Sequence, residues 1–484
     1  MTFFEKIIKE KGPILSSDLL ESLMNSGDQV SREAARKRLS RIDKDIVRIK
    51  GLFKDGQILF HEKEIYGTEK YYIGLMDALR NAGKQYHIIL QSLDFHYGHL
   101  KAVQLPSYSI NPILNLKGHV NFKTALEKLE KMGLVHIEDG MVSISGLVSE
   151  ESRSLQRSKG VEVAKNFLLV QFNDWSRKIG LSSYHSSKFH SEFGKYQFNY
   201  VAPSYIGSIP GQSNNKIIPG FIVLDILIGN TVNENQIEFF VNKVNALKSQ
   251  KNLARFIPFL IVESMDTKSL NALKANGVVI GFVNELFGDK YKELLNSLIN
   301  LVTNAGAILK KNPEAYLDII NKLNKLVEGK TNNLRGDLFE LAVGYFYGRI
   351  CHTIDIGKKI MYEGNPRELD VFGVLPDKIY IAECKGYNHR VAKEEVEVWL
   401  SKNIPVIRDW ILNQDSLRHR TLIFEMWSTG GFTEEALTLL EHRKKTTTKH
   451  QIDFYNLDEM VEKSKEINSK KFTEILREYY VKEL

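Results

Sequence analysis

Cysteine is nearly missing from this chain of 484 residues. The two that occur, Cys351 and Cys384, exclude a disulfide framework and a cysteine-rich zinc site. Long apolar runs are missing too. None approaches the ~20 residues that a membrane-spanning helix needs, and the opening Met1-Thr-Phe-Phe-Glu-Lys6 lacks a signal peptide's charge order. The expectation is a cytoplasmic protein without membrane attachment. There is no P-loop, no Rossmann glycine pattern and no Ser/Cys-His nucleophile signature, so energy-coupled action would need an ATPase partner. His185 and His190 lie in a polar, serine-rich stretch with no third ligand, which fits surface residues better than zinc. Strong charge of one sign is also absent. The net charge is +7, compatible with nucleic acid but not diagnostic of it. What remains is ordinary globular material, 43% apolar and 26% charged, enough for about three or four domains.

The N-terminal third reads as two small α+β modules. Stretches 2–11, 17–26 and 30–42 have helical periodicity, with Ser31 available to cap the third. In that third helix Ala35, Leu39 and Ile42 share a face, Lys37 and Arg41 point away from it, and Arg36 and Arg38 flank them. Two β-like runs, joined through Lys54-Asp55-Gly56, follow as a hairpin. Three helices and a hairpin resemble a winged helix, whose third helix commonly enters the DNA major groove. Between Arg32 and Lys50 eight Lys/Arg stand against three Asp/Glu, so Arg36, Lys37, Arg38 and Arg41 are the candidate DNA contacts. A solvated helix that binds protein is the plainer alternative. A second module, residues 68–148, has a helix closed by Gly133 and a hairpin at Asp139-Gly140, and again resembles a winged helix. Its lysines are interspersed with Glu127 and Glu130, and residues 1–150 carry 21 basic against 19 acidic residues. The polar stretch from Leu147 to Gly160 reads as a connector.

From residue 160 the order helix, strand, strand, helix, strand, helix, strand occurs twice, in 160–285 and in 331–484, with helices across 286–330 and a break at Asn312-Pro313. This suggests a duplicated α/β domain, although the first copy could be an unrelated one. Superposed, Asn199 falls near Asp370, Asp225 at Glu383, Leu227 at Lys385 and Glu162 near Glu340. One carboxylate without a lysine or a partner aspartate makes a poor Mg²⁺ site, so the first copy is expected to be inactive.

The second copy carries the chemistry. Ile379-Tyr-Ile-Ala-Glu383-Cys-Lys385 reads as a buried strand on which Glu383 and Lys385 leave the same face. Asp370 lies thirteen residues upstream, in a run with the spacing of a neighbouring strand, and Glu340 lies in a helix apolar nearly all round. Carboxylates grouped in an apolar sheet repel each other and resist desolvation, and a hard divalent cation relieves both costs. A surface Glu-Lys cross-strand pair with a capping Asp would leave the same trace.

These residues, Gly336-x-x-Phe339-Glu340-x-x-Val343, Glu368-Leu-Asp370 and Glu383-Cys-Lys385, resemble the PD-(D/E)xK nuclease superfamily, most closely its Mrr-like, restriction-endonuclease-like branch. Leu369 stands where the family's proline often sits. The resemblance covers roughly residues 332 to 458. It implies two restriction-endonuclease-like domains, each a mixed sheet flanked by helices, behind the winged-helix-like modules. It also implies a metal-dependent DNA endonuclease: Asp370 and Glu383 as ligands of Mg²⁺, with Mn²⁺ able to substitute, Lys385 positioning water, and Glu340 in support. Restriction or antiviral defence is the analogous role, with a homodimer or successive nicks for double-strand cleavage. The alternatives are an inactive DNA-binding or regulatory scaffold, or a nuclease subunit of a larger complex.

Overall fold

Local signals set the helix starts. In the computed structural model, which describes residues 2–26, 31–42, 45–116, 118–149, 152–184, 186–213, 216–327 and 332–480, Thr2 and Glu5 form a reciprocal capping box on α1 (Phe3–Lys11). Strand β1 (Ile14–Leu15), α2 (Ser16–Met24) and α3 (Arg32–Ser40) follow, with Ser31 capping α3. Strands β2 (Ile46–Ile49) and β3 (Leu59–Glu62) complete an antiparallel sheet of order β1-β3-β2. Ala35, Leu39 and Ile42 are buried in this module's core with Phe4, Ile8 and Phe60.

The next module is built from α4 (Glu69–Ala82), α5 (Lys84–Phe95), β4 (His99–Lys101), α6 (Phe122–Lys131), β5 (Val135–Glu138) and β6 (Met141–Ile144). Its sheet has the order β4-β6-β5. Asp139 and Gly140 both take positive φ, 48° and 71°, as a tight two-residue hairpin requires.

The chain divides into two compact units, Met1–Leu155 with Gly180–Gly281, and Gln156–Ile179 with Phe282–Leu484. The long helix α7 (Leu155–Lys178) therefore does not join the sheet that follows it in sequence, as a continuous 160–285 domain would require. It packs inside the second unit. Gly160 lies so close to the Ile299 backbone that a Cβ would stand 2.9 Å from its carbonyl oxygen, and Trp175 packs edge-on against Phe287. Glu162, on α7, is accordingly not the first sheet's counterpart of Glu340.

The first unit's larger sheet uses β7 (Lys188–Phe193), β8 (Tyr196–Ser204), β11 (Gly220–Leu227), β12 (Phe256–Val262) and β13 (Val279–Phe282), in the order β13-β12-β11-β8-β7. A small hairpin, β9 (Gly211–Ser213) with β10 (Lys216–Ile218), interrupts it, α8 (Glu234–Lys248) connects β11 to β12, and α9 (Thr267–Ala275) connects β12 to β13. Strand β8 is antiparallel to β7 and β11, and β11 is parallel to β12.

In the second unit, α10 (Val283–Phe287), α11 (Asp289–Thr303), α12 (Ala305–Lys311) and α13 (Pro313–Val327) lead to α14 (Asn332–Ile350). Then come β14 (Thr353–Tyr362), β15 (Asn365–Val374), β16 (Lys378–Lys385), β17 (Thr421–Ser428) and β18 (Gln451–Tyr455), in the order β14-β15-β16-β17-β18. Strands β14 to β16 pair antiparallel, and β16 to β18 parallel. One face packs Ile379, Ile381 and Met426 on α15 (Lys393–Val398), α16 (Ile404–Leu412) and α17 (Glu434–Thr446). The helical path does not end with α15. A π turn over Trp399–Asn403, in which the Ile404 amide donates to the Trp399 carbonyl, precedes Pro405, and α16 carries on to Leu412. On the other face Trp427 packs on Phe346 and Tyr347 of α14, beside α18 (Leu457–Ser464) and α19 (Lys470–Ile475). Among the described residues, no helix is long and apolar enough to cross a membrane.

Candidate functional site

Strand register brings the second unit's candidate residues together. Val371 pairs with Ala382 and Phe372 with Ile381, so one step outward sets Asp370 beside Glu383. The Cys384 amide donates to Asp370 Oδ2 at 2.7 Å, which pins the aspartate to β16. Glu383 and Lys385 share a face, and Lys385 Nζ donates to Glu383 Oε1 at 2.8 Å. Helix α14 delivers Glu340 because its N-terminal turns press on the end of β16. A Cβ on Gly386 would stand 2.8 Å from the Gly336 Cα, so the glycines allow an approach that larger residues would block.

Two further residues complete the cluster. Lys159, from α7, donates to Glu340 Oε1 at 3.1 Å and to Glu368 Oε1 at 2.7 Å. It reaches them past Gly357, which has φ 61° and lies on β14 opposite Asp370 in the register set by Ile356–Val371 and Lys358–Leu369. A Cβ on Gly357 would collide with Lys159 Nζ and stand 3.2 Å from Glu340 Oε1.

The electrostatics follow from burial and crowding. Desolvation, then the charges of Glu383 and Glu340, push the Asp370 carboxyl well above the usual range, against the Cys384 hydrogen bond and Lys385. Glu340 is pushed up by burial and held back by Lys159. For both lysines burial favours the neutral form, yet the carboxylates outweigh it. Glu340 and Glu368 hold Lys159 charged, Glu383 does the same for Lys385, and both titrate above the ordinary lysine range. On the opposite face Cys384 is partly buried, and desolvation with the neighbouring carboxylates raises its thiol well above the usual range.

Among the described residues, no three His, Cys, Asp or Glu stand close enough together to enclose a metal ion. The donor set instead fits a site with two protein ligands, Asp370 and Glu383. That is the kind of site Mg²⁺ accepts, because it retains several of its own waters. Their all-oxygen chemistry and mutual repulsion suit a hard cation.

The first unit has the same strand junction with different contents. Val201 pairs with Val223 and Tyr200 with Leu224, which sets Asn199 beside Asp225. The Ile226 amide donates to Asn199 Oδ1 at 2.9 Å, as the Cys384 amide does to Asp370. His190, at φ 44°, lies opposite Asn199 as Gly357 lies opposite Asp370. Here, however, the centre is closed. Lys243, from α8, donates to Asp225 Oδ2 at 2.6 Å, to the Ser107 carbonyl at 2.5 Å and to the Gln197 carbonyl at 2.9 Å. The Tyr108 hydroxyl lies 2.7 Å from Asn199 Oδ1, and Asn199, Asp225, Lys243 and Tyr108 are all fully buried.

Comparison with solved structures finds two slight likenesses. One is the structure of the restriction endonuclease FokI bound to DNA, at 10% identity and TM-score 0.18, over 60% of this chain and 63% of that one. The other is the crystal structure of protein VC1899 from Vibrio cholerae, at 9% identity and TM-score 0.15, over 48% of this chain and 53% of that one. The chain thus spans less than two thirds of either. Likeness this slight carries no argument about fold or activity. No family model and no curated protein matches the chain.

The remaining candidates are dispersed or plainly explained. Arg36, Lys37, Arg38 and Arg41 are all exposed in the first unit, on or just after α3. Lys393 makes an ordinary surface pair with Glu397, and Lys444 pairs with Asp453. His185 lies outside the described residues. Sequence reasoning missed Lys159 and Glu368. The alternation that puts Glu368 on the same face as Asp370 was available; nothing local pointed to Lys159.

Proposed function

We propose that the second unit is a metal-dependent DNA endonuclease hydrolysing phosphodiester bonds, with Asp370 and Glu383 holding Mg²⁺ or Mn²⁺. The supporting observation is the meeting of Glu340, Asp370, Glu383 and Lys385 at one end of β15 and β16, where partly buried carboxylates crowd each other despite the cost. When bound, the metal supplies a positive charge that polarises the phosphate and acidifies water. The Lys385 ammonium, held by Glu383, hydrogen-bonds the attacking water and neutralises charge growing on the phosphate oxygens. Glu340 borders the site from α14 and orients the Lys159 ammonium. The element order of the first module, α-β-α-α-β-β, and the four exposed cations of α3 and its end support a winged-helix contact with DNA phosphates. A single such site cuts one strand, so double-strand cleavage needs a homodimer or two successive events. Restriction or anti-phage defence is the role this reading favours, alone or with a partner subunit.

The test is nicking of supercoiled plasmid with Mg²⁺. Wild type should nick and Lys385→Ala should not; no cutting with any divalent metal would refute the assignment. A second reading, an inactive DNA-binding scaffold, is favoured by the ion pairs that Lys159 makes with Glu340 and Glu368. It predicts plasmid binding without nicking. In either case Lys37→Glu with Arg41→Glu should weaken binding and lower its salt slope by about 2; unchanged binding would remove α3 from the interface.

A further inference from the structure

We infer that Lys159 is a tethered cation that occupies the acidic centre of the second unit when no metal is bound, and that a divalent metal enters by displacing it. The inference rests on the metal-site reading above and adds how that site is regulated.

Lys159 is the one member of the cluster that comes from α7, remote in sequence from the strands it serves. Its ammonium sits between Glu340 and Glu368, with Asp370 within electrostatic reach. The partners the structure gives it are carboxylates, the same groups that attract a divalent ion. Lys243, in the first unit, is held differently: two backbone carbonyls and Asp225 surround its ammonium, and its side chain is 0% exposed. A lysine bound in that way is a fixture. The Lys159 side chain is 26% exposed, on a flexible four-carbon stem, and the missing Cβ of Gly357 leaves room for its head group. It can swing towards solvent without breaking a bond to the backbone of the sheet. The anionic cluster as a whole then exchanges a single charge beside Glu340 and Glu368 for a double one on the adjacent Asp370 and Glu383. The ammonium thus stabilises the metal-free site and sets the metal concentration at which the site fills.

The experiment is calorimetric titration of Mn²⁺ into the full chain without DNA, with plasmid nicking run in parallel. Lys159→Gln should bind Mn²⁺ roughly ten-fold more tightly than wild type, and nicking should reach half its maximum at a correspondingly lower metal concentration. Lys159→Arg, which keeps the charge, should stay near wild type. Should Lys159→Gln misfold with Glu340 and Glu368 uncompensated, Lys159→Gln combined with Glu368→Gln lowers the charge imbalance, and should also bind more tightly than wild type. Equal or weaker binding by the neutral variants overturns the inference; if wild-type binding is still lost in Asp370→Ala, the metal site itself survives. No Mn²⁺ binding by any variant overturns both.

Discussion

The two five-stranded sheets share a junction and treat it in opposite ways. In both, a backbone amide of the central antiparallel pair is bonded to a side chain on the neighbouring strand, Ile226 to Asn199 in one and Cys384 to Asp370 in the other. In both, a residue of positive φ lies opposite that side chain on the outer strand. The first sheet substitutes an amide for one carboxylate, balances the other with Lys243, and seals the result from water. The second keeps Glu340, Asp370 and Glu383 together, with two lysines among them, and leaves Glu383 and Lys385 17% and 20% exposed. A satisfied buried ion pair is architecture; crowded carboxylates open to solvent are a standing cost that a reaction would justify.

The largest expected effect tests that contrast directly. Asp370→Ala or Glu383→Ala should abolish plasmid nicking while leaving the unfolding midpoint unchanged or raised, because burial and neighbouring charge already oppose the ionised Asp370. A midpoint that collapses would make Asp370 a structural residue like Asp225. The converse is Asp225→Ala, which strands Lys243 and should cost roughly 3–5 kcal/mol in denaturant unfolding; Asp225→Leu with Lys243→Met should recover much of that. If Asp225→Ala is silent, the first centre is not the sealed pair described above.

Glu425 offers a smaller effect, read through pH. It is buried on β17, where Trp427 Nε1 donates to it, and desolvation raises its carboxyl to about 7. A carboxyl raised in the folded state stabilises the fold below its unfolded value, near 4.5, and that stability is lost as pH rises through 7. Glu425→Gln should therefore remove part of the decline between these values and gain up to ~3 kcal/mol at pH 8, measured as unfolding free energy against pH. A parallel pH profile for the variant would refute the shift. The smallest is Gly357→Ala. It should cost about 1–2 kcal/mol through its positive φ and push Lys159 aside, so that Mn²⁺ binds more tightly, as in Lys159→Gln. Weaker binding would mean that the alanine disturbs Glu340 instead.

Strand chemistry was legible in the residues because alternation is local. Glu383 and Lys385 stand two apart on a buried run with Asp370 one strand away, and that spacing alone puts them at one end of a sheet. The pairing of Asn199 with Asp225 follows from the same logic. Helix partners were not legible. A polar run ending at Lys159 reads as a connector, and nothing in it says that the helix it opens packs with α11 rather than with the next sheet. Lys243 carried a faint signal, since it lies among Phe239, Phe240 and Val244 on the inward face of α8, a position that a lysine takes only with a buried anion to meet.

The path of α7 has a practical result. The polypeptide enters the second unit, leaves it for the first sheet, and returns at Phe282. No single cut can release that unit whole. A fragment beginning at Phe282 would lose the partner of Phe287 and Ile299, expose apolar surface, and leave Glu340 and Glu368 without Lys159. Biochemists who want this half by itself should splice Gln156–Ile179 back on, rather than trim at the boundary the sequence suggests.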